Sequence, residues 1–196
     1  MKVFVPRDAA AKALGADEVA AALLAEAAKR GVTIDLVRNG SRGMVWLEPL
    51  VEVQTDAGRV AFGPMTPDAV AQVFDGGPLA LGLTDDLPWM KAQTRLTFAR
   101  VGVVDPLSLA DYEAHGGLAG LRRALGMTAE AIVEEVKLSG LRGRGGAGFP
   151  TGIKWDTVRQ AQADRKYIVC NADEGDSATF ADRMLMEGDP FTQIGR

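Results

Sequence analysis

The N-terminal third of the chain alternates short apolar runs with one long amphipathic segment. The run KVFVP at residues 2–6 predicts a strand. Residues 16–31 place apolar side chains at helical spacing, with acidic residues first, basic residues last and a glycine stop, so they predict a helix. Three further runs predict strands, and they lie at residues 33–40, 44–55 and 59–64. Asp56-Ala57-Gly58 predicts a hairpin turn between the last two.

A second helix is predicted at residues 68–77, with Thr66 as its N-cap and Pro67 at its first position. The order strand, helix, strand, strand, strand, helix resembles a thioredoxin-type α/β domain, which we assign to residues 1–76. Residues 77–107 are rich in glycine and proline and are interpreted as a connector.

The rest of the chain, residues 108–196, alternates predicted helices with polar loops. Helices are expected at residues 109–126, with an interruption at a Gly-Gly pair, at 127–140, and from a Thr151 cap to about residue 163. The run Tyr167 to Cys170 predicts a buried strand, followed by the acidic turn NADEGD. The whole chain is therefore predicted to be α/β.

Composition and charge narrow the classes of function. Hydrophobic residues make up 47% and charged residues 24%, so a globular core is expected. The net charge of −4 argues against nucleic-acid binding, and no apolar stretch reaches membrane-spanning length. A single cysteine and a single histidine exclude an internal disulfide, an all-cysteine iron–sulfur site and a His-rich metal site within these residues, and a reducing, cytoplasmic setting is expected.

The stretch GLRGRGGAGFPTGIKW, residues 140–155, carries the candidate chemistry. Three of its glycines match G-x-G-x-x-G, but a helix is predicted before it where a dinucleotide-binding turn needs a strand. The P-loop spacing fails as well. A flexible joint and a ligand cradle both remain open, although Arg142, Arg144 and Lys154 add positive charge and the glycines allow close backbone approach.

Together with YIVCNADEGD and TFADRMLMEGDP, this stretch resembles the FMN-binding, NADH-oxidising subunit family. That family includes the flavin subunit of respiratory complex I and the diaphorase subunits of NAD-reducing hydrogenases and NAD-dependent formate dehydrogenases. The resemblance covers about residues 108–196. Within the family the N-terminal stretch is most similar to the beta subunit of soluble bacterial formate dehydrogenases, so formate dehydrogenase is preferred over a hydrogenase diaphorase or a complex I subunit.

The resemblance implies FMN and NAD as cofactors, with no catalytic side chain of the protein's own. Residues implied to line FMN or to reach its phosphate are Gly143, Arg144, Gly145, Gly146 and Lys154. Those implied to bond its ribityl chain and ring edge are Asn171, Asp173 and Glu174. Phe149 would stack on the adenine side of NAD, and Asp176, a glutamate in complex I members, would lie near the nicotinamide. Ala178 stands where a glycine is common.

The resemblance also implies partners and further cofactors outside these residues. A [4Fe-4S] cluster is expected in a C-terminal part that the chain lacks, since it stops at DPFTQIGR within the family's flavin domain. The fragment alone is expected to be inactive. Expected partners are an iron–sulfur gamma-type subunit and a catalytic alpha-type subunit of a formate dehydrogenase complex.

The N-terminal domain lacks the cysteines of a ferredoxin-like relative. Ser41 and Val45 stand where two cluster ligands would lie, and Gly43 and Pro49 are kept. We therefore expect a degenerate, cluster-free ferredoxin domain with a role in subunit docking; a stabilising extension is the alternative. A rival interpretation of the whole chain is a cofactor-free docking module.

Overall fold

The computed structural model describes residues 1–194 and has a mixed α/β fold, which confirms the predicted fold class. The thioredoxin-like assignment stays a prediction. The strands are β1 Lys2–Phe4, β2 Asp35–Val37, β3 Val51–Thr55, β4 Gly58–Phe62 and β5 Ala80–Leu83. The helices are α1 Ala9–Ala13, α2 Ala16–Lys29, α3 Gln72–Asp75, α4 Pro88–Lys91, α5 Leu109–Ala114, α6 Ala119–Ala124, α7 Ala129–Leu138, α8 Thr151–Gln160, α9 Ala181–Gly188 and α10 Pro190–Ile194.

Contacts divide the described chain into two compact units. The first contains Met1–Gly117 together with Ala172–Ile194, and the second contains Leu118–Asn171. The predicted domain boundaries at residues 76 and 107 stay a prediction. No helix in the described residues is long and apolar enough to cross a bilayer.

The first unit is built on a five-stranded sheet in the order β2-β1-β3-β4-β5. β1 and β2 run parallel, as a strand–helix–strand unit through α2 requires, and the other pairs are antiparallel. β3 and β4 form the predicted hairpin, with Thr55 paired to Gly58 across a two-residue loop. β5 was not predicted, because it lies in the Gly- and Pro-rich connector and contains Gly82 at φ +87°.

One face of this sheet packs on α2. Val19, Leu23 and Ala27 lie four residues apart and are almost fully buried, and Val19 and Leu23 belong to the core cluster of Val3 and Val51. Burying one such leucine contributes roughly 1.5–3 kcal/mol, so this face accounts for much of the stability of the first unit. The helical spacing in the sequence therefore predicted the packing side of α2 correctly.

The other face carries a buried ionic network around Glu52. The Glu52 carboxylate accepts from Arg42 Nη2 at 2.9 Å and from Arg42 Nε at 3.3 Å, and Arg59 Nη1 lies 3.5 Å away. Asn39 Nδ2 donates to the same carboxylate at 3.3 Å. The alternation Val51-Glu52-Val53 explains this placement, because successive strand residues point to opposite faces.

Besides the helix predicted at residues 68–77, which is a 3-10 turn at Pro67–Ala69 followed by the short α3, two predicted elements begin at a different residue. The third predicted strand begins only at Val51, since Val45–Leu47 forms a 3-10 turn and Pro49 has no N–H for a sheet ladder. The helix predicted after residue 151 begins at Thr151 itself, with Pro150 at the cap. In both places a proline shifts the start of the element.

The second unit consists of α6, α7, α8 and the connecting loops. Thr128 caps α7 as predicted, accepting from the Ala131 N–H at 3.2 Å. α7 and α8 touch at Gly152, where an added Cβ would lie 2.6 Å from Lys137 Cγ and 2.8 Å from the Lys137 backbone. Lys137 Nζ also bonds Asp156 at 2.8 Å, so the two helices are held at close range.

Candidate functional site

The Gly-rich stretch forms a closed loop between α7 and α8. Gly143 N donates to Phe149 O at 2.8 Å, and Thr151 N donates to Leu141 O at 2.9 Å, so the two ends of the loop are paired. Arg142 Nε donates to Gly148 O at 2.6 Å and fastens the same end, a contact that the sequence did not predict. The loop is therefore an ordered turn rather than a free joint.

The backbone at the tip of this loop is exposed to solvent. A Cβ added at Gly145 or Gly146 would meet nothing within 4 Å, and Gly146 has φ +97°, a conformation that favours glycine. Arg144 is exposed beside them. An uncovered peptide surface next to a guanidinium suits a flat ring or a phosphate, because no side chain keeps the ligand away. These residues fit part of a flavin mononucleotide.

Lys154 lies beside the closed end of the loop. Its Nζ is 5.9 Å from the centre of the Phe149 ring and would be 3.5 Å from a Cβ on Gly143. It stands in the first turn of α8, where backbone N–H groups also favour anions. The structure thus brings together three of the predicted site residues, Gly143, Phe149 and Lys154.

The acidic turn belongs to the first unit from Ala172 onwards. Glu174 Oε2 accepts from the Arg183 N–H at 3.0 Å, at the start of α9. Burial alone would raise the pKa of Glu174, but the N–H groups of Arg183, Asp182 and Ala181 lower it below its ordinary value. Glu174 is therefore an ionised cap for α9, a role that the sequence did not predict. Its predicted contact with the ribityl chain stays a prediction, as do those of Asn171, Asp173 and Asp176.

The first unit holds α9 and α10 through close contacts. A Cβ on Gly40 would lie 2.6 Å from Gly188 Cα, so the two backbones touch. Arg100 Nε pairs with the buried Asp189 at 3.0 Å, and Ala9 N donates to Glu187 Oε2 at 3.1 Å. The segment that carries the acidic turn is thereby held within the first unit.

The buried strand predicted at Tyr167 to Cys170 was wrong for the described chain. These residues form neither strand nor helix; Ile168 is 98% exposed, and Cys170 is exposed rather than a buried small hydrophobe. A strand needs a neighbour for its ladder, and within the described second unit the only bridge joins Arg142 and Pro150. The apolar run is present, but a partner strand cannot be inferred from it.

Ala178 has a left-handed backbone, with φ +68°. An L residue with a Cβ is strained there, whereas glycine is not. The departure from a common glycine at this position therefore has a physical cost.

A protein-family comparison matches the stretch that contains the candidate site. The sequence model of the Complex1_51K family, the Nuo51 FMN-binding domain, matches residues 136–194, which include the Gly-rich loop and the acidic turn. The resemblance to the FMN-binding, NADH-oxidising subunits is confirmed. The N-terminal 135 residues lie outside the family match.

Curated relatives agree with the family match. The chain is 53% identical over 104 residues to the NADP-reducing hydrogenase subunit HndC of Solidesulfovibrio fructosivorans, which covers 53% of this chain and 21% of that protein. It is 58% identical over 95 residues to an NADH-quinone oxidoreductase subunit of Rhizobium meliloti (strain 1021), and the alignment covers 48% of this chain and 23% of that protein. The chain spans about a fifth of the length of these relatives.

A solved NAD⁺-reducing [NiFe]-hydrogenase, in its H₂-reduced state, is similar at 22% identity and a TM-score of 0.34, covering 94% of this chain and 31% of that one. A TM-score of this size supports no conclusion about fold or function. The α/β class rests on the five-stranded sheet itself.

Proposed function

We propose that the chain is part of a flavoprotein subunit that exchanges a hydride between NAD(H) and FMN in a cytoplasmic, multi-subunit oxidoreductase. The observation that carries the proposal is the Gly-rich loop, whose exposed peptide tip and adjacent cations lie inside the stretch that matches an FMN-binding domain. FMN, when bound, supplies the hydride and single-electron chemistry, so no acid or base of the protein is needed.

The chain's own residues position and neutralise the cofactor. Gly145 and Gly146 leave the peptide plane accessible, while Arg144 and Lys154 supply charge for a phosphate. Phe149 is 47% exposed, so its ring is free to stack on a purine. The hydrogen bonds that close the loop make this arrangement available before binding, which reduces the entropy lost when the ligand binds.

We further propose a formate dehydrogenase as the parent complex, with an iron–sulfur gamma-type subunit, a catalytic alpha-type subunit and a [4Fe-4S] cluster beyond the present residues. This finer assignment rests on the sequence resemblance alone. A hydrogenase diaphorase is the second candidate, favoured by the 53% identity to a hydrogenase subunit. The substrate oxidised by the purified complex, formate or hydrogen, separates the two.

The test of the flavin site compares two glycines. In the full-length subunit, Gly145→Ala adds a methyl group where nothing lies within 4 Å of the free protein, so the fold should be kept and FMN content and NADH–ferricyanide activity should fall at least tenfold. Gly152→Ala is the contrast, because its methyl group would clash with the Lys137 backbone and should lower the melting temperature.

Two results would contradict the proposal. A full-length subunit purified without flavin and without NADH–ferricyanide activity would favour the cofactor-free docking module. If the Gly145→Ala variant retained its full FMN content, the tip of the loop would not be part of the FMN site.

A further inference from the structure

A second, smaller apolar cluster lies on the face of the sheet that carries Glu52. Ala61 belongs to this cluster and is the cross-strand partner of Glu52, so both side chains point to the same side of the sheet. The buried members of the cluster are Met44, Leu50, Ala61 and Met90. Short elements therefore cover this face, in contrast to the long helix α2 on the other face.

Two tryptophan rings lie at the surface of these short elements. Trp46 is in the 3-10 turn and Trp89 is in α4, and their ring centres are 5.2 Å apart in an edge-to-face arrangement. The two residues are 58% and 47% exposed, so the fold uses only part of each ring. Large aromatic side chains that remain exposed as a group are typical of surfaces that bind another protein.

Arg95 lies next to this pair of rings. Its Nη1 donates to the sulfur of Met90, the neighbour of Trp89 in α4, at 3.7 Å, and its Nη2 donates to Val101 O at 3.3 Å. These contacts use two of the five N–H groups of the guanidinium. Across residues 1–194, Arg95 has no carboxylate within salt-bridge distance, and its buried Nε has no acceptor. Burial lowers the pKa of this guanidinium, so an added anion would stabilise its charged form.

Leu96 extends the same surface beyond Arg95. It is 81% exposed, and it lines a shallow depression together with Arg95 and Phe98. We call Trp46, Trp89, Arg95 and Leu96 the Trp–Arg surface. All four residues belong to the first unit and lie outside residues 136–194, the stretch that matches the FMN-binding domain.

A partner that covers the Trp–Arg surface must supply two kinds of group. A carboxylate would neutralise Arg95, and a large apolar side chain would cover the two rings and Leu96. A two-fold contact between copies of this chain would bring two Arg95 side chains into one interface, so a different polypeptide is favoured. We propose that the Trp–Arg surface docks a segment of another subunit in which an Asp or Glu lies next to a large apolar side chain.

The inference rests on the proposed function for the existence of a multi-subunit complex, and it adds the surface and the chemistry of the partner. Its test is photo-crosslinking in the complete complex, purified through a tagged full-length subunit in which p-benzoylphenylalanine replaces Leu96. Mass spectrometry of the irradiated complex should join position 96 to an acidic and apolar segment of a different subunit. Crosslinks only to a second copy, crosslinks to a segment without an acidic residue, or no crosslink to another subunit would overturn the proposal.

Variants of the exposed residues measure the strength of docking. Leu96→Glu and Trp46→Ala should each weaken the affinity of the full-length subunit for the rest of the complex at least about tenfold. Leu24→Glu is the matched control, because Leu24 is 49% exposed on α2, which packs on the other face of the sheet, and this change should leave the affinity unchanged. Unchanged affinity in both Leu96→Glu and Trp46→Ala would overturn the proposal.

The charge of Arg95 is tested separately. Arg95→Gln should weaken the same affinity about 3- to 10-fold, and Arg95→Lys should recover part of the loss. Where Arg95→Gln fails to fold, as judged by its circular dichroism, the salt dependence of the wild-type affinity replaces it, since a contact between an arginine and a carboxylate weakens as salt is added. An affinity that does not change with salt would refute the carboxylate partner.

The docking proposal and the proposed function fail separately. FMN content and NADH–ferricyanide activity of the isolated full-length subunit test the proposed function, and both should be unchanged in Leu96→Glu. Loss of assembly with the flavin retained would support the docking surface. Loss of flavin in Leu96→Glu would overturn the assignment of Leu96 to a docking surface and would leave the proposed function intact.

Discussion

Replacing Glu52 by Gln tests the ionic network on the second face of the sheet. The carboxylate is 2% exposed and accepts two hydrogen bonds from Arg42, with Arg59 close by. Glutamine keeps the shape but removes the charge. Both arginines lose their counter-ion, but Arg59 retains its hydrogen bonds to Gly102 O at 2.8 Å and Val103 O at 2.7 Å, so Arg42 is affected more.

The expected loss of stability follows from these contacts. Arg42 Nε and Nη2 donate to different oxygens of Glu52, and glutamine keeps only one of those oxygens as an acceptor, so one charge-assisted hydrogen bond is lost at a cost of about 1.5–3 kcal/mol. The unpaired buried cation adds to this, and breaking a buried pair costs about 3–5 kcal/mol in total. We expect Glu52→Gln to lower the free energy of unfolding by about 3–5 kcal/mol.

The assay is urea unfolding followed by tryptophan fluorescence in a Trp155→Phe background. Trp46 and Trp89 then report on the first unit, which contains Glu52. The matched control is Asp86→Asn, which breaks an ion pair with Lys91 whose side chains are 59% and 61% exposed, and it should cost under about 1 kcal/mol. A loss for Glu52→Gln no greater than that of the control would refute the reasoning.

Two further predictions concern strain and pH. Ala178→Gly relieves the left-handed backbone at φ +68° and should raise the free energy of unfolding by about 0.5–1 kcal/mol. Ala21→Gly, at an exposed position inside α2, should lower it by about 1 kcal/mol, and thermal unfolding distinguishes the two signs. Burial raises the pKa of Glu48 to about 7 in the fold, so the folded state holds a proton that the unfolded state releases near pH 4.5. The contribution of Glu48 to stability should therefore be greatest below pH 4.5 and fall by about 3 kcal/mol as the pH rises to 8. Glu48→Gln should abolish that part of the pH dependence in urea unfolding, and an unchanged dependence would contradict this assignment.

Segments with a regular pattern were predicted well, because buried side chains recur at a fixed spacing along a helix or strand. The spacing of Val19, Leu23 and Ala27 set both the existence and the buried face of α2. The sequence could not reveal β5, since its short run is interrupted by a left-handed Gly82 and depends on pairing with β4. Tyr167 to Cys170 shows the converse, because an apolar run alone does not supply a partner strand.

In the candidate site, too, local features could be predicted from the sequence and contacts between distant residues could not. Local features of the Gly-rich loop, its glycines and its cations, were visible in the sequence and are ordered in the fold. Contacts between distant residues were not visible in the sequence. The pairing of Glu52 with Arg42 and the position of Arg95 without a paired carboxylate both depend on tertiary packing. Charged residues in a strand pattern are normally assigned to solvent, which is why this network was missed.

The cap formed by Glu174 links ligand occupancy to the length of a helix. Hydroxyls of a ligand that draw this carboxylate away from α9 would compete with the first N–H groups of that helix. A ligand that recruits Glu174 therefore releases the amide hydrogens of Ala181, Asp182 and Arg183 to solvent. Those three amides are natural reporters, since their hydrogen-exchange rates would rise on binding while the rest of α9 stays protected.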